Sequence, residues 1–301
     1  MNNKSRFSGI VPPLVTPLNK DEIVCKDSLH KLIDHCLNNG VSGVFVNGTS
    51  GEAMRVSDSV WEEMTKETLA YVGDRGVVFC GAIDSSTTRV IEKIKKIEAL
   101  GGKIAVCTPP FYLANFGQDE ILRHYDRICN QSKIEIAIYN IPDTTHVNIL
   151  PRTIGKLADY DNVVVYKDSC ADWQQFQRNI YYLQDKDISL FNGAEELCAA
   201  SILFGAQGCI PGLANFFPDL FVQLYEVCKS GSITESYELQ KKICEVRDCL
   251  FEGPAWISVM KYLLSVYDLG EEYVSWPIPE MTDEHKNRVL KILRECGVLN
   301  A

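Results

Sequence analysis

Eight short apolar runs recur along the 301-residue chain, separated by stretches with helical periodicity. This alternation limits the possible folds more than any other feature. The runs are 9–17 ("GIVPPLVTP"), 42–48, 76–82, 103–109, 135–140, 162–167, 187–193 and 207–212. Uninterrupted apolar runs of this kind suit strands buried on both faces, as in parallel sheets. Between them, 27–40 and 86–102 carry apolar residues near the helical period, with Asp27 or Ser28 placed to cap the first and Gly40 to close it. Eight strand–helix units in this order predict an α/β fold, a closed (β/α)8 barrel (TIM barrel) over residues 1–230. A doubly wound open sheet is the alternative, but it calls for a glycine-rich nucleotide fingerprint after the first strand, and "VTPLNKDE" supplies none. Past Pro218 the pattern is helical only, at 218–230, 232–251, 255–267 and 282–296. Residues 231–301 therefore read as a C-terminal helical appendage that closes one side of a pocket or packs between subunits.

Composition narrows the function. Hydrophobic residues make up 46% and charged residues 23%, enough for a large core and too apolar for disorder. A net charge of −10 argues against nucleic acid or an anionic membrane as a partner. The stretch "MNNKSRFSGI" lacks a signal-peptide apolar run, and no later run approaches ~18 apolar residues, so a soluble cytoplasmic protein is expected. The twelve cysteines are scattered without a C-x-x-C pair, and His30 and His35 do not share a helix face. Buried free thiols are the economical reading, with no metal site and no cofactor.

In a barrel of this kind, chemistry collects where strands end and the following loops begin. The stretch "VVVYKDS" (163–169) runs four strand-forming residues straight into Lys167. Lysine is seldom fully buried unless paired. Either the strand stops at Tyr166 and the amine emerges into solvent beside Asp168, or it is delivered into an enclosed pocket. There, loss of water frees its lone pair for attack on a carbonyl. The other strand ends tip the balance toward the pocket. "NGTSGE" (47–52) sets Gly48 and Gly51 around Thr49 and Ser50, an ordinary turn or a small nest of donors for a carboxylate. Tyr139 ends the fifth run, placed either as a packed ring or as a proton relay beside an imine. Lysine, tyrosine and glycine turn on one rim are more specific together than any one of them.

These motifs resemble the pyruvate-dependent Schiff-base lyases and synthases, the superfamily of dihydrodipicolinate synthase and N-acetylneuraminate lyase. The likeness runs from "PPLVTP" through "GTSGE", "PPFY", "YNIP" and "YKDS" to "GAQGCIPGLAN", nearly the whole chain. It implies that Lys167 forms an imine with the keto carbon of pyruvate or another 2-keto acid and that Tyr139 is the general acid/base. It also implies that Thr49 and Ser50 receive the carboxylate, with Thr49 in the proton relay. Tyr112 would complete the relay from a neighbouring subunit, which implies a homo-oligomer, a tetramer by resemblance. The main-chain carbonyl of Ile210 would face the keto acid. A protonated imine is itself an electron sink, so no metal or other cofactor is implied.

Two departures bear on the substrate. The lysine-pathway synthases carry an arginine two residues past the proline of Y-N-x-P, where this chain has Thr144, and a glycine where it has His146. A threonine cannot replace a bidentate guanidinium. "NGAEE" (192–196) resembles the pair that sugar-acid lyases turn toward substrate hydroxyls, with Gly193, Glu195 and Glu196 as candidates; a solvated helix start is the plainer reading. The leading expectation is a class I aldolase or lyase that cleaves a 2-keto-3-deoxy sugar acid, or a sialic-acid-like compound, to pyruvate and an aldehyde. A Schiff-base dehydratase, a true dihydrodipicolinate synthase and a catalytically silent metabolite-binding barrel are the alternatives.

Overall fold

The computed structural model describes residues 6–113 and 117–299. Eight parallel strands form one sheet: β1 (Gly9–Ile10), β2 (Gly43–Val46), β3 (Val77–Gly81), β4 (Ile104–Cys107), β5 (Glu135–Asn140), β6 (Val163–Asp168), β7 (Ser189–Asn192) and β8 (Gly208–Cys209). Their order, β1-β8-β7-β6-β5-β4-β3-β2, is that of a barrel. Closure between β1 and β2 comes from the Ser42 amide donating to the Ile10 carbonyl (2.9 Å) and the Phe45 amide donating to that of Pro12 (2.9 Å). The first run, read as strand over 9–17, is regular only at its start. Pro12, Pro13 and Pro17 have no N–H to give to a ladder, so that segment continues as an irregular extended chain with single bridges.

The helices in chain order are α1 (Lys26–Asn38), α2 (Asp58–Val72), α3 (Thr87–Ala99), α4 (Gln118–Gln131), α5 (Pro142–Thr145), α6 (Pro151–Leu157), α7 (Trp173–Leu183), α8 (Cys198–Leu203), α9 (Pro218–Ser230), α10 (Ile233–Arg247), α11 (Trp256–Val266) and α12 (Asp283–Glu295). Neither Asp27 nor Ser28 caps α1: the helix starts one residue earlier, with Cys25 at its N-cap and no side-chain cap bond. Ser57, Ser86 and Asp172 do cap α2, α3 and α7 by accepting the amide three residues on. The span read as one helix over 232–251 divides, α10 ending at Arg247 before a short 3-10 turn.

Strand alternation builds two apolar layers. Phe45, Phe79, Val106, Tyr139, Val165 and Phe191 point into the barrel, and their alternate neighbours pack outward against the helices. The outward layer is continuous with Leu263, Leu264, Val289 and Leu293, so α11 and α12 share one core with the barrel. No described helix is long and apolar enough to cross a membrane. All twelve cysteines are unpaired, eight of them buried, and no described cluster of three or more His, Cys, Asp or Glu could hold a metal ion.

Candidate active site

Lys167 is buried, 4% exposed. It alternates with Tyr166 and Asp168, whose side chains face the helices, so its own points into the barrel with that of Val165. Tyr139 on β5 is its direct cross-strand partner in the parallel register and is also buried. The Lys167 Nζ lies 4.0 Å from the centroid of the Tyr139 ring and 5.3 Å from that of Phe45. Aromatic faces thus surround the nitrogen. Asp168 does not pair with it. Its carboxylate points away and accepts from Asn140 (3.0 Å), the Cys170 amide (3.0 Å) and Asn179 (2.6 Å), and burial pushes its pKa above the usual carboxylate range.

Gly193 begins the loop after β7 and passes close over the lysine stem. A Cβ there would sit 1.9 Å from Ser169 Oγ and 2.8 Å from Lys167 Cε, so any larger residue must displace one of those side chains. Gly48 is constrained in the same way, since a Cβ would meet the Phe45 ring at 2.8 Å. That ring therefore joins the glycine turn to the lysine. Ser50 is buried at 7% exposure and Thr49 is half-buried. Ile210 is buried in the barrel interior just past β8, its amide donating to the Asn192 carbonyl at 2.8 Å.

The glycine turn is anchored by groups that the sequence did not bring forward. Glu52 has left-handed backbone (φ 55°) and a fully buried carboxylate. It pairs with Lys261 of α11 at 2.9 Å and accepts from the Ser275 amide (2.9 Å) and hydroxyl (2.6 Å). Lys261 also donates to the Thr16 carbonyl, and the Thr16 hydroxyl donates to the carbonyl of Gly51 (2.6 Å). Burial lowers the pKa of Lys261, and the Glu52 carboxylate opposes that shift. The one available signal was a lone lysine inside the apolar helix "WISVMKYLLSV".

The remaining candidates lie farther out. Tyr112 is 89% exposed, with a left-handed backbone (φ 81°). Thr144 is exposed and lines a cavity of about 670 Å³ together with Gly48, Thr49, Thr108 and Phe111. Trp256, Ile257, Pro277, Ile278 and Pro279 of the C-terminal region form its other wall. His146 ends α5 in left-handed conformation (φ 56°), is exposed, and does not line that cavity. Glu195 is 7% exposed, one oxygen accepting the Leu213 amide (2.7 Å) and the other Arg247 Nε (3.1 Å); burial raises its pKa. Glu196 is exposed and pairs with the same arginine at 2.7 Å. Arg247 thus bridges both, one positive charge set between two carboxyl groups.

Comparison with known proteins agrees with the (β/α)8 barrel and places the chain in a family. The model of the dihydrodipicolinate synthetase family matches residues 6–296. The chain belongs to this family. Its relatives include the 4-hydroxy-tetrahydrodipicolinate synthase of Thermodesulfovibrio yellowstonii, 29% identical over 97% of this chain and 99% of that one. A probable 2-dehydro-3-deoxy-D-pentonate aldolase of Escherichia coli is 27% identical over 98% of this chain and 99% of its own. Among solved structures, the dihydrodipicolinate synthase of Bacteroides thetaiotaomicron superposes with a TM-score of 0.91 at 33% identity, covering 98% of this chain and 100% of that one. As a member of the dihydrodipicolinate synthetase family, the protein is an enzyme of the lyase or aldolase kind.

Proposed function

We propose that this protein is a pyruvate-dependent class I aldolase that cleaves or forms a 2-keto-3-deoxy acid of the sugar-acid kind, hydroxylated at C4. Lys167 Nζ adds to the C2 carbonyl and the carbinolamine loses water to give a protonated imine. Tyr139 carries the protons of these steps. The Thr49–Ser50 turn holds the C1 carboxylate. Loss of the C4 hydroxyl proton then breaks the C3–C4 bond. Its electrons enter the imine as an enamine and the aldehyde departs. Protonation at C3 and hydrolysis return pyruvate and the free amine. The electron sink is the imine, so the reading needs no metal or other cofactor. It also carries a cytoplasmic location and a homo-oligomer in which the exposed Tyr112 serves a neighbouring subunit.

The observation that carries this reading is the pairing of Lys167 with Tyr139 inside the barrel, away from any carboxylate partner among the described residues. The test is reduction with borohydride in the presence of pyruvate, followed by peptide mapping. A pyruvyl adduct on the peptide holding "VVVYKDS" is expected. An unlabelled protein, under conditions that label a known imine-forming aldolase, would defeat the reading.

A second reading is condensation with aspartate semialdehyde, favoured by the activity named for relatives such as that of Thermodesulfovibrio yellowstonii. Thr144, standing where such synthases carry an arginine, speaks against it. The two are separated by comparing kcat/KM for the semialdehyde with that for C4-hydroxylated 2-keto-3-deoxy acids in one preparation.

A further inference from the structure

The cavity beside the glycine turn has an uneven lining. Its walls are mostly apolar, with Met54, Ile83, Ile141, Trp256 and Ile278 among them, and among the described residues a single cation, the exposed Arg55, lines it. Arg55 follows directly from the anchored turn, its amide donating to the Glu52 carbonyl at 2.7 Å. The ties from Glu52 to Lys261 and Ser275 therefore fix where this arginine starts. The Arg55 guanidinium has no carboxylate within ion-pair distance among the described residues, unlike Arg75, Arg89, Arg247 and Arg288 and like Arg127, Arg152, Arg178 and Arg294. The one carboxylate in the lining, Glu52, is already taken by Lys261 and Ser275. Deeper in the same lining, the hydroxyl of Thr108 is buried at 1% exposure and has no hydrogen-bond partner.

We infer that this cavity is the subsite for the aldehyde half of the substrate, and that Arg55 receives a carboxylate at the far end of that half. The inference rests on the Schiff-base reading above. The second-strand loop thus supplies a cation to the same cavity in which Thr144 offers only a neutral hydroxyl. One guanidinium, with no lysine in the lining, matches the single charge and planar fork of a carboxylate better than a phosphate dianion. The mostly apolar walls fit a short chain with few hydroxyls beyond the one at C4. With Glu52 consumed, the described lining offers an ammonium no free carboxylate. The substrate class is therefore a 2-keto acid with a terminal second carboxylate and no amino group.

The experiment measures aldol addition to the pyruvate enamine with three acceptors: succinic semialdehyde, butanal and aspartate semialdehyde. Wild-type enzyme should favour succinic semialdehyde over butanal by about 10- to 100-fold in kcat/KM, the range of a charged hydrogen-bonded contact. Arg55→Gln should erase most of that ratio, and Arg55→Lys, which keeps the charge without the fork, should fall between. Borohydride trapping of pyruvate in each protein reports imine formation separately. Intact trapping with a ratio near one in the wild type, or a ratio untouched by Arg55→Gln, would overturn the assignment. Preference for aspartate semialdehyde would overturn the exclusion of an amino group. Failure of trapping in the wild type would instead bring down the Schiff-base reading, and this inference with it.

Discussion

At Lys167 the question raised by its sequence setting was whether the amine leaves the strand for solvent or enters the barrel. Strand alternation decides it: Val165 and Lys167 share the inner face, and Asp168, the nearest acid in sequence, is committed to Asn140 and Asn179 on the outer one. The period of two made this legible in "VVVYKDS" once a strand was assigned through residue 168. Tyr139→Phe keeps the ring that packs 4.0 Å from Lys167 Nζ and removes only the hydroxyl. It should fold normally and lose about 10²–10⁴ in kcat, the usual contribution of a general acid/base group. A variant with more than half the wild-type kcat would remove Tyr139 from the mechanism. The Glu52–Lys261 pair was not legible, because its members lie far apart in sequence and only the folded chain joins them. Lys261→Met strands a buried carboxylate and should cost about 3–5 kcal/mol in urea denaturation, whereas pairing it with Glu52→Gln should recover most of that loss. A double variant no more stable than Lys261→Met would show that burial of the charge is not what the lysine offsets.

Among the elements, strand starts were read to within two residues, and the larger misses were at strand ends. β1 stops at Ile10, well short of its apolar run, because Pro12, Pro13 and Pro17 cannot donate to a ladder, whereas β6 and β7 end within a residue of where Lys167 and Asn192 change the character of the chain. The loop after β7 was noticed for its carboxylates, yet its glycine is the residue set against the lysine stem. Gly193→Ala should displace Ser169 or Lys167 and depress kcat, with imine trapping slowed in parallel. Wild-type trapping in that variant would show that the loop yields at no cost. Below the fourth strand's loop, His124 of α4 lies against Thr87 (2.9 Å) and the Thr108 carbonyl (3.2 Å). Burial lowers its pKa to about 4. The unfolded chain then binds the extra proton between about pH 6.5 and pH 4, so the folded state loses stability as pH falls through that window. Asp168 and Glu195, whose pKa values burial raises, act in the opposite sense, so the measurement must isolate His124. Between pH 7 and pH 5 the wild type should lose about 2 kcal/mol more than His124→Gln. Equal losses in the two proteins would mean that His124 is protonated without penalty.

For the whole molecule, the helical appendage and the barrel share one core, and the appendage also walls the cavity over the glycine turn. One subunit thus holds the lysine, the tyrosine beside it and the turn. It does not bring Tyr112 inward, for that side chain is 89% exposed on a left-handed backbone that bulky residues seldom adopt. That exposure leaves the side chain open to a neighbouring subunit, as the proposed mechanism requires. The expectation is a homo-oligomer with shared sites, and subunit mixing tests it. Lys167→Ala subunits lack the nucleophile but keep Tyr112, while Tyr112→Phe subunits keep the nucleophile. If Tyr112 acts across an interface, each preparation alone should be poorly active. Mixing them under conditions of subunit exchange should restore activity, because Lys167→Ala subunits lend their tyrosine to intact lysines. The rise should appear with the hybrid species in native mass spectrometry. Sedimentation of the active enzyme as a monomer, or hybrids no more active than the sum of their parents, would confine Tyr112 to its own chain and leave its backbone without a functional account.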